Sequence, residues 1–499
     1  MLPTSRRDFL HQAAILAASG LASKVHAQRQ VAHPTSEAPS RNQRADYQLM
    51  IATTPIEVAR GKFLSLTTYN GQFPGPLLRF KEGQRVIVDV NNETDSPEVV
   101  HWHGQMIPSD VDGAVEEGTP SIPAHGSARL EFIPGPSGCR FYHTHVRAGA
   151  NLSLGQYGGL VGPIFIEPRQ NPGAYDREIF LTLKEFEASF SQGGDMDMNF
   201  LAPSAPVSSL KERGEAQMKA STDKGAPKGY EVSYGTFTIN GKKLGHGDPI
   251  RVRHGDRVLF HVINGSAGEI RSLALPGHHF VIVAMDGNPL PSPVTVPVLW
   301  IGTAERISAY VEMNHSGVWI MGDLMDDDRH HGMGIVVEYA GAVGKPLWVA
   351  PKPFNWNYAR FGRSNSQASE PDGVFDLLFE KKNAAHQGFN RWTINGVSYP
   401  MDQMMDSPMF HLKRGNRYRL RMKNASDDIH PIHLHRHSFE LTRVAGQSTA
   451  GVIKDVVMVG GYQEMEVDFV ANNPGRTLFH CHQQLHMDFG FMALFDYDS

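Results

Sequence analysis

One phrase recurs three times along this chain. Tyr69-Asn70-Gly71 is followed by Glu82-Gly83-Gln84-Arg85-Val86 and a run ending at Asn91. Ile239-Asn240-Gly241 is followed by His254-Gly255-Asp256-Arg257-Val258 and a run ending at Asn264. Ile394-Asn395-Gly396 is followed by Arg414-Gly415-Asn416-Arg417-Tyr418 and a run ending at Asn424. Asn-Gly is a turn signal, and x-Gly-x-Arg opening an alternating apolar run reads as a turn feeding a strand. The copies also close alike: Gly138 leads to Tyr142-His143-Thr144-His145, and Gly475 leads to Phe479-His480-Cys481-His482. Gly317 leads at the same offset to Met321-Gly322-Asp323-Leu324, where the histidines are missing. The repeat predicts three β-domains of one plan, near 46–170, 171–345 and 370–499, the middle one without ligands. With 49 glycines, 32 prolines and few helical periods, the fold class is all-β, built of sandwiches. The polar segment from Ser189 to Tyr234 reads as a long loop in the second domain.

The N-terminus combines Ser5-Arg6-Arg7, an apolar stretch from Ala13 to Ala22 and a small-residue exit at Val25-His26-Ala27. This is the pattern of a secretory signal over 1–27, its paired arginines pointing to the twin-arginine route and a periplasmic destination. Residues 28–45 read as a flexible lead-in. No other segment is long and apolar enough to span a membrane, and a net charge of −5 argues against nucleic acid as a partner.

Histidine is the unusual entry in the composition, with 25 residues. Five His-x-His triplets occur (His101/His103, His143/His145, His433/His435, His435/His437 and His480/His482), where random placement gives about one. Most telling is His480-Cys481-His482 with His486 close behind. Thiolate and imidazole together suit copper above other metals, and zinc has no use for a thiolate between two imidazoles. On a strand, residues i and i+2 face one way, so His433, His435 and His437 share a side. By the same rule His480 and His482 turn away from the Cys481 sulfur, which can then serve a different metal from its neighbours. Using Cys481 as a ligand leaves Cys139, the other of two cysteines, without a disulfide partner and predicts it as a small buried residue.

The four segments His101-Trp-His103-Gly104, His143-Thr-His145, His430-Pro-Ile-His433-Leu-His435 and His480-Cys481-His482-x3-His486 resemble, in order and spacing, the bacterial three-domain, laccase-like multicopper oxidases. The resemblance covers nearly all of the chain beyond the signal. It implies three cupredoxin-like Greek-key domains and four copper ions. His430, Cys481 and His486 would hold the blue type 1 copper, and His101 and His433 the type 2 copper. His103, His143, His145, His435, His480 and His482 would hold the type 3 pair, with His437 left over. The family's axial position is Phe491, a non-coordinating residue that raises the reduction potential. Asp112 stands where the family keeps a carboxylate for proton delivery during reduction of dioxygen. A second family acid is missing, because Met487 and Gln484 occupy its usual places, and Asp488 is the candidate stand-in. Arg436 replaces a glycine of the motif and is expected to shape the copper rim.

Elsewhere, Met401, Met404, Met405 and Met409 read as ordinary packing methionines. Met196 and Met198 are the pair that soft thioether chemistry toward Cu(I) would single out. Asp326–His331 reads as a solvated turn. Three functions remain to be separated: oxidation of phenols or aromatic amines at the blue copper coupled to reduction of O2 to water, oxidation of Cu(I) or Fe(II), and copper carriage without turnover.

Overall fold

The computed structural model describes residues 43–168, 175–192, 200–202, 205–225, 228–363, 368–400 and 409–498. The expected signal, most of the lead-in, and Met196, Met198, Met401, Met404 and Met405 lie outside the described residues. Met409 is half-buried and packs against the core.

All three Asn-Gly dipeptides make the same turn. Asn70, Asn240 and Asn395 have φ of 54°, 51° and 52°, and the glycines that follow have 67°, 76° and 82°. Two successive positive φ values define the hairpin turn that Asn-Gly favours. Each asparagine side chain then bridges to the next strand. Asn70 Oδ1 accepts from Met50 N at 2.6 Å, Asn240 Oδ1 from Thr182 N at 2.8 Å, and Asn395 Oδ1 from Leu378 N at 2.8 Å.

The sheets repeat as well. In the first copy the order is Lys62–Tyr69, Tyr47–Ala59, Val86–Asn92, Ser127–Phe132, the middle two strands running parallel. The third copy begins Phe389–Ile394, Gly373–His386, Arg417–Asn424, Glu464–Val470, again with a parallel middle pair. The second copy follows suit, with Arg177–Ser191 parallel to Arg257–Asn264. Register corrects one detail of the sequence reading: Asn92, not Asn91, closes the first copy. Asn92 pairs with Ile51 as Asn264 pairs with Leu183 and Asn424 with Phe379. All three are fully buried and donate to backbone carbonyls, which a strand residue turned to solvent has no need to do.

Between Ser189 and Tyr234 the expected loop is replaced by the end of the strand Arg177–Ser191, a helix at Ser208–Asp223 and the start of the strand Glu231–Ile239. The helix packs against the third copy, where Gly214 lies so close to Ala425 that an added Cβ would sit 2.2 Å from its carbonyl oxygen. Arg213 Nε reaches Glu380 at 2.6 Å. Asp326–His331 is a short helix rather than a turn, closed by Gly332 at φ 124°.

Candidate metal centre

Two small sheets carry the histidines. In the third copy, His430–Leu434 lies antiparallel between Val456–Val459 and Thr477–Cys481, with His433 opposite His480 and Ile432 opposite Cys481. In the first copy, His101 and His143 face each other and exchange backbone hydrogen bonds of 2.8 and 3.1 Å. Pairing of this kind brings residues from both ends of the chain into one pocket.

Eight imidazoles meet there. His101 stacks on His435 at a centroid distance of 4.0 Å, and His103 on His433 at 3.8 Å. His482 lies 5.0 Å from His143 and 5.1 Å from His103, while His145 and His435 each lie 5.1 Å from His480. Possible ligand atoms of His145, His435 and His480 converge within 4.8 Å, as do those of His101, His433 and His435. The sequence-expected pocket residues are therefore brought together.

Cys481 points elsewhere. Its Sγ lies 3.6 Å from His486 Nδ1 and 3.7 Å from His430 Nδ1, and those two nitrogens are 3.2 Å apart. This is a separate three-ligand site, fully enclosed. Ser426 Oγ holds the far nitrogen of His430 at 2.8 Å, and Trp392 stacks on His486 at 4.0 Å. Phe491 packs edge-on against His430 at 4.7 Å, whereas Met492 sits in a different cluster with Leu478 and Met487. His437 is outside both sites, its Nε2 on Tyr497 Oη at 2.8 Å. The strand alternation fails at Arg436, whose φ of 57° turns the chain. Arg436 does not reach the rim either. Its guanidinium donates to the carbonyls of Gly475, Arg476 and Pro474 and so fastens the turn before His480.

The electrostatics fit a metal. Burial holds His103, His143, His145, His433, His435 and His482 well below the ordinary imidazole value, and His480 down at about 3. Neutral rings keep a lone pair available. Carbonyl oxygens only accept, so a ring nitrogen facing one carries the proton and leaves the other nitrogen bare. His101 Nδ1 faces Asp112 O at 2.8 Å, His143 Nδ1 faces Thr144 O at 2.7 Å, and His433 Nδ1 faces Asp455 O at 2.7 Å. Among the described residues, the buried Nε2 atoms of His101 and His433 have no hydrogen-bond partner. A polar atom orphaned in this way costs about 1–3 kcal/mol unless something binds it. Burial likewise raises the Cys481 thiol, so that a metal would have to displace its proton.

Acids frame the pocket on two sides. Asp112 Oδ2 accepts from His435 Nδ1 at 3.0 Å and lies 3.2 Å from His101 Nδ1. Glu117 Oε1 is 3.3 Å from the same His435 nitrogen and accepts from Leu478 N at 2.6 Å. Opposite them, Asp455 Oδ1 is 3.1 Å from His103 Nε2. Glu98 accepts from Thr144 Oγ1, between two pocket histidines, at 2.8 Å. Sequence reading found Asp112 and missed Glu98, Glu117 and Asp455. Asp488 is buried, but its oxygens are taken by Ala148 N, Gly149 N and Gln484 Nε2 rather than by a pocket histidine. Cys139 is buried as expected.

Three stretches, 51–171, 209–337 and 377–499, match the family described as multicopper oxidase, and together they take in most of the chain. The chain belongs to the multicopper oxidases. It is 28% identical to the multicopper oxidase MmcO of Mycobacterium tuberculosis over 454 residues, 88% of this chain and 84% of that one. It is also 28% identical to copper resistance protein A of Escherichia coli, over 65% of this chain and 55% of that one. Among solved structures, the multi-copper oxidase from Pseudomonas thermotolerans covers 91% of this chain and all of its own, with a TM-score of 0.67 at 23% identity. This multicopper oxidase is therefore an oxidoreductase that uses O2, which sets aside the idea of a carrier without turnover.

Proposed function

We propose that this multicopper oxidase takes single electrons from phenols or aromatic amines at a blue copper held by His430, Cys481 and His486. Four coppers in all would supply the redox chemistry: that one, a type 2 ion on His101 and His433, and a type 3 pair on His103, His143, His145, His435, His480 and His482, where O2 becomes water. The observation that carries this reading is the placement of Cys481, whose sulfur belongs to one site while its chain neighbours His480 and His482 belong to the other. The same residue therefore offers an electron a short covalent path, supplemented by the 2.9 Å hydrogen bond from His480 Nδ1 to the Cys481 carbonyl. Phe491 lies against His430 and supplies no ligand atom, which favours the high potential that phenol oxidation needs. Asp112 and Glu117, both bonded toward His435, are the chain's groups for passing protons to the pocket.

One observation favours the alternative of Cu(I) or Fe(II) as the electron donor. Asp427 and Asp428 gather around Lys381 next to His430, at 2.5 and 2.9 Å from its nitrogen. Carboxylates beside the electron entry attract cations. Comparing kcat/KM for a dimethoxyphenol, Cu(I) and Fe(II) separates the readings. Copper-loaded protein is expected to absorb in the red and to favour the phenol. A colourless, oxygen-inert holoprotein contradicts the proposal outright. Export by the twin-arginine route is part of the same proposal, supported by Arg6-Arg7 and the apolar stretch behind them. Loss of export on replacing both arginines with lysine tests it.

A further inference from the structure

The pocket's histidines are not all held the same way. Nδ1 of an imidazole lies near its own backbone, where a local carbonyl can accept its proton, whereas Nε2 sits at the far tip of the ring. His101, His143, His433 and His480 use Nδ1 on backbone carbonyls, and His435 uses Nδ1 on Asp112. His103 is reversed. Its Nδ1 faces His143 Nε2 inside the pocket at 3.4 Å, and its Nε2 faces outward. That far-tip nitrogen needs an acceptor brought in from elsewhere, and Asp455, 352 residues away, provides it at 3.1 Å.

Asp455 is itself fixed from the ligand-free middle copy. Arg306 grips the carboxylate with two parallel bonds, Nη1 to Oδ1 and Nη2 to Oδ2, both 2.6 Å. Arg306 is held in turn: its N donates to Asp286 Oδ1 at 3.0 Å and its Nη1 to Ala304 O at 3.0 Å. Arg140, from the first copy, adds a contact of 3.4 Å to Asp455 Oδ2. Asp286 Oδ2 accepts from the Asp455 and Val456 amides at 3.2 and 3.1 Å, and Lys454 Nζ lies 2.9 Å away. Every charged group named here is buried. Gly104, the residue after His103, leaves room for the fork, because a Cβ there would lie 2.5 Å from Arg306 Nη2 and 2.6 Å from Asp455 Oδ2.

We propose that Arg306, contributed by the domain without ligands, is a positioning residue for the imidazole pocket. Its planar fork fixes the Asp455 carboxylate, which keeps the proton of His103 on Nε2 and presents Nδ1 to the metal. This rests on the trinuclear reading above. A lysine keeps the charge but not the two-pronged geometry, so the account separates a positioning role from mere charge neutralisation.

The test uses full-length protein with Arg306→Lys, Arg306→Met and Asp455→Asn. In copper-free protein carrying 15N-labelled histidine, the wild type is expected to show His103 as the single Nε2-protonated tautomer. Arg306→Lys and Asp455→Asn are expected to show a mixture. On copper titration, the variants should keep the red absorption of the blue site while affinity at the pocket falls about 10- to 100-fold, the usual effect of losing such an orienting group. A single unchanged tautomer in the variants, or a blue site weakened in step with the pocket, overturns the proposal. Should Arg306→Met not fold, the lysine and asparagine variants still decide. A wild type that takes up no copper in the pocket would instead refute the trinuclear reading, so the two failures are distinguishable.

Discussion

Asp455 and Asp112 touch the imidazole pocket from opposite sides, and their surroundings give them opposite work. Asp455 is locked between Arg306 and Arg140, with both oxygens committed to guanidinium groups. Burial lowers the Arg306 pKa, but Asp455 and Asp286 more than offset it, so the guanidinium stays charged. Asp112 has no cation in that position. Its neighbour is another acid, Glu117, which burial and then the Asp112 charge push well above the usual carboxylate range. Two acids sharing one enclosure hold a proton between them. The Arg306 side therefore fixes geometry, while Glu117, beside Asp112, holds a proton it can lend. The same residue type serves both ends, and the partners decide the role.

The sharpest way to break this comparison is to neutralise each acid in turn. Asp112→Asn is expected to lower kcat about 10²- to 10⁴-fold, the usual worth of a positioned proton donor, while copper content stays at the wild-type level by metal analysis. Asp455→Asn should do the reverse, losing pocket copper before it loses rate per bound copper. Asp112→Asn protein that turns over normally would remove the distinction.

Backbone substitutions probe each side at smaller cost. Gly104 has a φ of 79° beside the Arg306 fork, and Gly113 has a φ of 100° with its added Cβ only 2.1 Å from Val100 O. Alanine at either place is expected to cost about 1–3 kcal/mol by strain of this kind, measured by denaturant unfolding. Gly104→Ala should also weaken copper binding in the pocket, and Gly113→Ala should slow turnover.

The mildest expected effect concerns Glu98, which burial pushes from 4.5 up to about 7. A carboxyl with a raised folded pKa binds its proton more tightly in the native state. It therefore favours folding most at low pH, and the advantage shrinks as pH rises from about 4.5 to about 7. Thermal melts should show wild type losing roughly 1–3 kcal/mol relative to Glu98→Gln between about pH 5 and pH 8. A difference that stays constant across that range would mean that Glu98 is already ionised.

Most of the frame, and the histidine segments that the fold brings together, was legible because both are written in short local patterns. Asn-Gly turns, x-Gly-x-Arg starts and His-x-His pairs need only a few residues to declare themselves. Where the sequence reading slipped, the deciding contact was elsewhere. Asn91 and Asn92 are adjacent, and only strand register shows that the second faces inward. The helix Ser208–Asp223 buries only Leu210 and Gly214, so it carries almost no apolar stripe to announce it. Strand periodicity puts His437 on the same face as His433 and His435, and the left-handed backbone of Arg436 interrupts it. Asp455 and Glu117 act across 352 and 361 residues, through His103 and Leu478 respectively, beyond the reach of any local motif.

The most direct test of the central idea, a single cysteine joining two metal sites, is copper titration of the copper-free protein and two variants, following red absorption and bound copper together. Wild type is expected to bind four equivalents with a strong red band. Cys481→Ser should lose the band and about one equivalent, whereas His143→Ala should keep the band and lose copper from the pocket. A red band that survives in Cys481→Ser, or disappears in His143→Ala at full occupancy of the sulfur site, would contradict the account.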